Sequence, residues 1–545
     1  MSHQTGVSSV FRHKNFVRGI AFISIFAITA LPPRGDWLTW KPAVTQFAAA
    51  LYITLIAALC LRLRPTRAVL AALGDLTREL GAVPRLPLLA GSFLLFVIFT
   101  NHLSAVLFAH LPHVADSHAQ YAGAKILAAG QFYLGGLSAP RSFDAQWFIN
   151  DGKFHTFYPP GHMLLLALGH LAGAPWLVNP LLGGCALLAI YFLAREIGGE
   201  TSGRIALLLT FCSPFILFMS AEYMNHATAL LMATLFALFY IRSAKYGRGE
   251  DGFLSGVAMG YLLMTRPQTA AAVGFPFFLH AVVTLRRHFK DVRKCYARFA
   301  LGTAPLIAFF LYYNWQTTGD PLLSGYEKNF GHMLPGLDLD LWEHWRAWLP
   351  DYIRAARQAQ ALHVQLFQWP ISSLLLIFIL FFAGAQKPFC GLLAAGFFCA
   401  FIGLAFTRFG FVDLFGPRYF YEVSGGLIAL NALALRRLPA LCRYYLYVRT
   451  ASNVWRGLLT MIFCGLTAAG FLTGTRELYY RYANNYWEGN AGFYHRILRS
   501  VSPPALVLVE DQQHFLYLTF TLPPNENEPV IFAHGCDLFK RDCTD

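Results

Sequence analysis

The sequence is dominated by apolar runs of about 17 to 25 residues, the length that crosses the hydrocarbon core of a bilayer as a helix. Only helices and closed barrels satisfy their backbone hydrogen bonds in lipid, and these runs lack the two-residue alternation of barrel strands. The composition agrees, because 56% of the 545 residues are apolar and 13% are charged. Soluble proteins carry about 25% charged residues. The sequence therefore predicts a polytopic, all-α membrane protein.

About thirteen transmembrane helices are predicted, beginning inside the cell and ending outside. They lie at residues 17–33, 44–61, 88–110, 176–194, 205–221, 225–241, 253–266, 267–285, 299–316, 369–385, 388–407, 418–435 and 457–474. The apolar segment 161–173 is too short to span, so we predict that it lies along the outer surface. We thus expect interfacial helices in the first large outer loop and a small extracytoplasmic C-terminal tail.

The formal charge of +14 is concentrated in short loops, with basic clusters at residues 62–85, 286–298 and 436–456. Short basic loops face the cytoplasm, and thirteen crossings put all three clusters there. Topology explains this charge better than nucleic-acid binding does, so the lipid bilayer is an expected partner and nucleic acid is not. The basic N-terminus precedes an apolar run without an evident cleavage site, which indicates a retained anchor. The expected location is the inner (plasma) membrane, with a cytoplasmic N-terminus.

Three regions are predicted along the chain. They are an N-terminal two-helix anchor with a cytoplasmic loop (1–87), a transmembrane module (88–474) and a small extracytoplasmic C-terminal region (475–545). Of the ten cysteines, only Cys536 and Cys543 fall outside, where disulfides persist. We expect a bridge between them, with two unpaired thiols as the alternative. No Cys/His group has zinc-site spacing, and neither a metal nor a cofactor is predicted.

Polar residues that are costly at membrane depth gather on the predicted outer face. Asp116 follows the third span, where an acid commonly caps a helix, so capping is the simpler alternative to a chemical role. Arg266 and Arg418 lie at outer helix ends, where basic residues are not expected. An arginine side chain can bind a phosphate group through two parallel hydrogen bonds. The alternative is that each side chain only extends along the apolar surface to keep its charge in water. Further candidates for substrate contact are Tyr121, Asp144, Tyr158, His162, Glu222, Asn225, His226, Asn314, Asp320 and Tyr419.

Acids, arginines and aromatic rings at one membrane surface suggest group transfer from a lipid phosphate to a hydroxyl acceptor. A carboxylate such as Asp116 can remove the hydroxyl proton. Arg266 or Arg418 can stabilise the charge that grows on the departing phosphate. No Gly-rich phosphate loop follows a strand, so nothing demands a bound nucleotide.

The same residues, in this order, resemble the GT-C superfamily of polyprenol-phosphate-sugar-dependent glycosyltransferases. The branch most similar contains the protein O-mannosyltransferases and the bacterial lipid A aminoarabinose transferase. The resemblance covers roughly residues 88–435 and is carried by Asp116 with Tyr121, Tyr158-Pro159-Pro160-Gly161, Glu222 with Asn225, Arg266-Pro267, Asn314 with Thr318-Gly319-Asp320-Pro321, and Gly416-Pro417-Arg418-Tyr419.

The resemblance implies a GT-C-like bundle in which residues 88–474 form the catalytic module. It also implies an inverting transfer from a polyprenyl-phosphate-linked sugar to an extracytoplasmic glycan, lipid or protein hydroxyl, with Asp116 as general base and no tightly bound metal. Many relatives have an Asp-Glu pair where this chain has Asp116-Ser117, which leaves the role of a second acid in doubt.

Two other classes stay open at this point. A transporter or lipid flippase would need polar or broken helices at mid-bilayer in two related halves. The polar residues cluster instead at one face, and no similarity between halves is visible, which disfavours transport. A non-catalytic GT-C relative acting in glycan assembly is compatible with the sequence.

Overall fold

A computed structural model of the chain describes residues 37–136, 143, 145, 147–330, 341–405, 416–445, 450–484, 490–509, 518–523 and 529–534. Most of these residues are helical. The first ten helices are α1 Trp37–Arg62, α2 Arg64–Leu80, α3 Arg85–Phe108, α4 Ala115–Ala128, α5 Pro160–Leu171, α6 Val178–Gly198, α7 Glu200–Phe211, α8 Pro214–Met219, α9 His226–Tyr246 and α10 Gly249–Leu263. The others are α11 Pro267–Thr318, α12 Gly325–Phe330, α13 Leu341–Gln365, α14 Leu375–Phe382, α15 Cys390–Ala405, α16 Ser424–Tyr445, α17 Ser452–Gly470, α18 Arg476–Asn484 and α19 Asn490–Ser500.

Six of the described helices are long and apolar enough to cross a membrane, and a bent pair formed by α1 and α2 would make a seventh. The protein is therefore a multi-pass membrane protein by length and composition. Shorter helices occupy the predicted spans at 205–221, 253–266, 369–385 and 388–407, while residues 17–33 lie outside the described residues. The number of thirteen crossings remains a prediction.

Two predicted spans lie in α11, a 52-residue stretch in which two helices meet at a kink. The expected loop between residues 285 and 299 is helical, apart from a break at His288 (φ −135°, ψ 36°). This segment is rich in arginine and lysine, which are good helix formers and extend a helix beyond the bilayer.

The predicted span 205–221 is divided into α7 and α8. Pro214 begins α8, and the Ser213 hydroxyl accepts a hydrogen bond from the Ile216 N–H at 3.3 Å. Proline cannot continue a helix but suits its first turn, which explains why the break falls here.

The loops predicted to be cytoplasmic meet at one end of the bundle. There Arg204 donates to the Val83 carbonyl at 2.9 Å, and Lys245 pairs with Glu196 at 3.0 Å. We call this the basic end. The turns that carry Asp116, Glu222, Arg266 and Arg418 meet at the opposite end, which we call the site end. The helices thus separate the two groups of charges as the alternation of spans predicted.

The segments that were predicted to lie outside also contain two small sheets, which the all-α prediction omitted. Strands β1 Leu134–Gly135, β2 Phe148–Asn150 and β3 Lys153–Thr156 form an antiparallel sheet with the order β1-β3-β2. Strands β4 Ala505–Val509 and β5 Val530–His534 pair in parallel. These strands lie in segments that are too short and too polar to span, where neighbouring backbone groups satisfy one another by pairing.

The C-terminal tail packs against α4. The hydroxyl of Thr519 lies 3.1 Å from His118 Nδ1, and the Phe520 ring is 5.5 Å from the His118 ring. Leu522 is buried in one apolar cluster with Ala119. The helix that carries Asp116 is therefore covered by residues near the C-terminus. The three predicted regions themselves remain predictions.

Candidate active site

Asp116 lies in the first turn of α4, where the helix dipole favours a negative charge. The cap of this helix is made by the next residue: Ser117 Oγ accepts hydrogen bonds from the backbone N–H groups of His113 and Val114, both at 3.2 Å. The capping role considered for Asp116 is thus taken by Ser117. This also gives a structural use to the position at which many relatives have glutamate.

The carboxylate of Asp116 is held by two side chains from distant parts of the chain. Tyr158 donates its hydroxyl hydrogen to Oδ1, and Arg418 Nη1 donates to Oδ2 at 2.9 Å. Burial alone would raise the pKa of Asp116, but the Arg418 charge and these hydrogen bonds outweigh it and hold the pKa below its usual value. Asp116 is therefore ionised at neutral pH.

Tyr158 is placed by the Pro159-Pro160-Gly161 turn. The Gly161 N–H donates to the Met264 carbonyl at 2.7 Å, just before Arg266. A Cβ at Gly161 would lie 2.2 Å from Thr265 Oγ1, so only glycine permits this close approach. The turn therefore joins the segment that presents Tyr158 to the segment that presents Arg266.

Arg266 is fixed by a second, more deeply buried set of partners. Its Nε lies 3.1 Å from Glu422 Oε1, and its Nη1 donates to Asn225 Oδ1 at 3.0 Å. The same Glu422 oxygen lies 2.6 Å from His226 Nδ1. The Glu422 side chain is 1% exposed, and a buried carboxylate requires such charged and hydrogen-bonding partners.

Tyr419 connects the two carboxylate–arginine pairs. The guanidinium carbon of Arg266 lies 5.8 Å from the centre of the Tyr419 ring, and that of Arg418 lies 5.3 Å from it. These are cation–π distances. The structure therefore brings Asp116, Arg266 and Arg418 together at one end of the bundle, and their assignment to one functional site stays a prediction.

The turn between α8 and α9 supports this site from within. Glu222 Oε2 accepts the Met224 N–H at 2.6 Å, and the Met224 sulfur lies 3.4 Å from Arg418 Nη1. Asn179 Nδ2 donates to the carbonyls of both Glu222 and Met224. Glu222 is 1% exposed, and burial raises its pKa to about 7. Glu222 is therefore placed to shape the turn and is shielded from solvent.

Four of the predicted substrate contacts make local structural interactions. The His162 ring nitrogens lie 2.8 Å from Thr228 Oγ1 and 2.7 Å from the Tyr223 carbonyl oxygen, which occupies both of them. The Tyr121 ring packs edge-on against Tyr223 at 5.4 Å.

The other two lie at the C-terminal end of α11. Asn314 donates to the Pro321 carbonyl at 3.2 Å, and Asp320 accepts the Leu322 N–H at 2.8 Å to close its own loop. Asp144, Cys536 and Cys543 lie outside the described residues.

Two side chains of the site were not among the predicted residues. Glu422 had a signal, because it is an acid at predicted membrane depth four residues after Arg418. Tyr326 on α12 had none. Its ring lies 5.5 Å from the Tyr158 ring and 5.0 Å from the Phe157 ring, so α12 closes one side of the site. Among the described residues, no group of three or more His, Cys, Asp or Glu side chains is arranged to hold a metal ion.

Comparison with known proteins supports the resemblance. Residues 163–313 match the family model of dolichyl-phosphate-mannose-protein mannosyltransferase. The structure of ArnT from Cupriavidus metallidurans bound to undecaprenyl phosphate aligns with a TM-score of 0.51 at 12% identity, over 82% of this chain and 86% of that one. The Archaeoglobus fulgidus oligosaccharyltransferase in the apo form aligns with a TM-score of 0.46 at 11% identity, over 82% and 61%.

A comparison with curated protein sequences gives no match. The shared architecture with ArnT defines the class: this is a membrane protein with the fold of the GT-C glycosyltransferases. Within that class, the sequence match over residues 163–313 is to the mannosyltransferase family, and the resemblance inferred from the sequence motifs is confirmed.

Proposed function

We propose that the chain is a glycosyltransferase that moves a sugar from a polyprenyl-phosphate donor to an extracytoplasmic hydroxyl acceptor on a glycan, lipid or protein. The observation that carries the proposal is the Asp116 carboxylate paired with Arg418, whose guanidinium group lies over the same Tyr419 ring as that of Arg266. The ArnT-like fold supports a lipid-phosphate donor, since that relative is bound to undecaprenyl phosphate. The mannosyltransferase match supports sugar transfer.

In the proposed reaction, the acceptor oxygen forms a bond to the anomeric carbon of the sugar while its proton passes to Asp116. The bond between that carbon and the phosphate oxygen breaks, and polyprenyl phosphate leaves with the electron pair. Attack from the face opposite the phosphate inverts the anomeric centre. The base must therefore act at the acceptor while cationic groups act at the phosphate.

The two arginines are suited to different parts of this reaction. Arg266 is fixed by buried Glu422 and is suited to anchor the donor phosphate. Arg418 pairs with Asp116, which is partly exposed, so an entering phosphate competes with that carboxylate for the same guanidinium group. Movement of Arg418 toward the phosphate would raise the pKa of Asp116 and make it a better base. Donor binding would in this way activate the base.

The decisive experiment is Asp116→Asn in membranes supplied with labelled polyprenyl-phosphate sugar. Transfer should fall by about 10²- to 10⁴-fold, the usual contribution of a general base. Asp291→Asn is the matched control, because it makes the same change at an exposed position of the basic end and should leave transfer unchanged. Full activity of the Asp116 variant would remove this residue from the base role. A wild-type chain that inserts but transfers no sugar would favour the transport or non-catalytic alternatives.

The proposed orientation has its own test, because Asp320 and Asp291 are both exposed: Asp320 follows the C-terminal end of α11, and Asp291 lies three residues after its break at His288, in the basic cluster. An impermeant thiol reagent applied outside should label Asp320→Cys above the background of the unsubstituted chain and should not label Asp291→Cys. The reverse pattern would place the site in the cytoplasm and exclude the proposed donor geometry.

A further inference from the structure

The basic end contains a cavity of about 530 Å³ that the proposed reaction does not use. It lies between the ends of α6 and α9 and the start of α7. Its lining residues are Arg195, Glu196, Gly199, Glu200, Arg242, Tyr246 and Arg248.

The acids of this cavity are engaged by cations and hydroxyl groups. Glu200 lies 3.1 Å from Arg195 and 3.0 Å from Arg204. Glu196 lies 3.0 Å from Lys245 and accepts the Tyr246 hydroxyl at 2.8 Å. These contacts offset the negative charge of the two carboxylates, so that they repel an anion less strongly.

The basic side chains outnumber the acids. Arg242 pairs with Asp251 at 3.0 Å, and the Arg248 guanidinium carbon lies 5.4 Å from the Tyr246 ring centre. The lining residues and their direct ion-pair partners comprise Arg195, Arg204, Arg242, Lys245 and Arg248 against Glu196, Glu200 and Asp251. The cavity therefore carries a net positive charge.

A sixth cation is brought to the cavity by a glycine. Gly199 has a φ of +79°, which favours glycine, and a Cβ at this position would lie 3.1 Å from Arg436 Nη1. Arg436 comes from α16, so its guanidinium group approaches the lining from another helix. Because Gly199 has no side chain, the Arg436 guanidinium group can lie against the backbone at this position.

We infer that this cavity binds a phosphate-bearing anion, supplied by an anionic phospholipid headgroup or by free phosphate. Arginine clusters bind phosphate through several charge-assisted hydrogen bonds, and basic pockets between transmembrane helices bind acidic headgroups. The neighbouring Tyr246, Phe253 and Leu254 are exposed by 55%, 39% and 42%, which is typical of side chains that face lipid near the bilayer surface. A headgroup could enter the cavity from that surface.

The test uses the purified full chain in nanodiscs containing equal amounts of phosphatidylglycerol and phosphatidylcholine, with retained lipid measured by native mass spectrometry. The wild-type chain should retain phosphatidylglycerol in about tenfold preference, as one or two charge-assisted hydrogen bonds would give. The double variant Arg248→Gln, Arg436→Gln should lose this preference. The single variant Arg248→Gln, in an exposed loop position, provides a milder change that leaves the helices intact.

The matched control is Arg286→Gln, Arg287→Gln, which removes the same charge from exposed positions outside the cavity. It should keep the preference. Equal retention by both double variants, or equal loss from both, would overturn the inference in favour of general surface attraction. In a parallel arm, millimolar inorganic phosphate is added in a purely phosphatidylcholine nanodisc. Stabilisation of the wild-type chain but not of the Arg248/Arg436 variant, without lipid preference, would identify free phosphate as the ligand.

Discussion

Arginine–carboxylate pairs occur at both ends of the bundle, but their surroundings differ. At the site end, Arg266 and Glu422 have side chains that are 18% and 1% exposed. At the basic end, Arg298 and Glu250 are 51% and 74% exposed. A buried pair is stable only when further contacts compensate for desolvation, whereas an exposed pair contributes little. The comparison teaches that the Arg266–Glu422 pair depends on its surrounding contacts in a way that the Arg298–Glu250 pair does not.

The largest effect expected from this comparison is on catalysis. Arg266→Gln should reduce kcat/KM for the lipid-linked donor by about 10²- to 10³-fold, because it removes a cation that stabilises the departing phosphate. Arg298→Gln is the control at the basic end and should leave donor kinetics unchanged. Steady-state transfer with purified enzyme checks both variants. Similar kcat/KM values for the Arg266 and Arg298 variants would show that the arginine at the site end is no more important for donor use than the one at the basic end.

The next effect concerns stability. Glu422→Gln removes one partner of a buried pair and should destabilise the protein by about 3–5 kcal/mol, because Arg266 then remains buried without its counter-charge. Glu250→Gln makes the same chemical change at the exposed pair and should leave the unfolding temperature unaltered. Thermal unfolding in detergent compares the two. An equal response would mean that burial does not separate these pairs.

A smaller effect is expected from the hydrogen bond to the proposed base. Tyr158→Phe should lower transfer about tenfold, because the carboxylate loses the hydroxyl that orients it, and the acid limb of its pH profile should move to higher pH. The reason is that the Tyr158 hydroxyl helps to lower the pKa of Asp116, and the base acts only when deprotonated. Tyr246→Phe removes a carboxylate-bound hydroxyl at the basic end and should leave the profile in place. An unshifted profile for Tyr158→Phe would contradict the assigned contact.

The smallest effect is a pH dependence of stability. Burial raises the pKa of Glu222 to about 7, so the folded protein holds this proton more tightly than the unfolded chain does. The stabilisation is complete below the unfolded pKa near 4.5 and is lost as the pH rises through about 7. Glu222→Gln should therefore flatten the unfolding temperature between these pH values, relative to wild type. A variant that retains the wild-type slope would show that another group causes it.

Features that depend on local sequence were predictable. Apolar length identified a mostly helical protein with several helices apolar enough to cross a membrane, and the basic loop clusters meet at one end of the bundle. The order of the motifs also pointed to Asp116, Arg266 and Arg418, which the structure brings together at one end of the bundle. Each of these signals resides in a short segment and does not require knowledge of how helices pack.

Features that depend on packing were not predictable in the same way. Glu422 was visible as a buried acid, but its choice of Arg266 and His226 follows from how α9, α11 and α16 meet. From the sequence, Ser117 was notable only because many relatives have glutamate at this position, whereas the structure shows that its hydroxyl caps α4. His162 had the residue type of a ligand, yet its ring nitrogens contact the Thr228 hydroxyl and the Tyr223 carbonyl oxygen. Residue type alone does not distinguish side chains that make such intramolecular contacts from those that contact a substrate.

The docking of the tail onto α4 has a consequence for biosynthesis. His118 lies two residues after Asp116, whereas its partner Thr519 is separated from it by 401 positions and leaves the ribosome correspondingly later. The helix with the proposed base therefore stays without this cover while the intervening residues are synthesised. A chain cut before Thr519 would keep α4 but would lack the contacts that the tail makes with it.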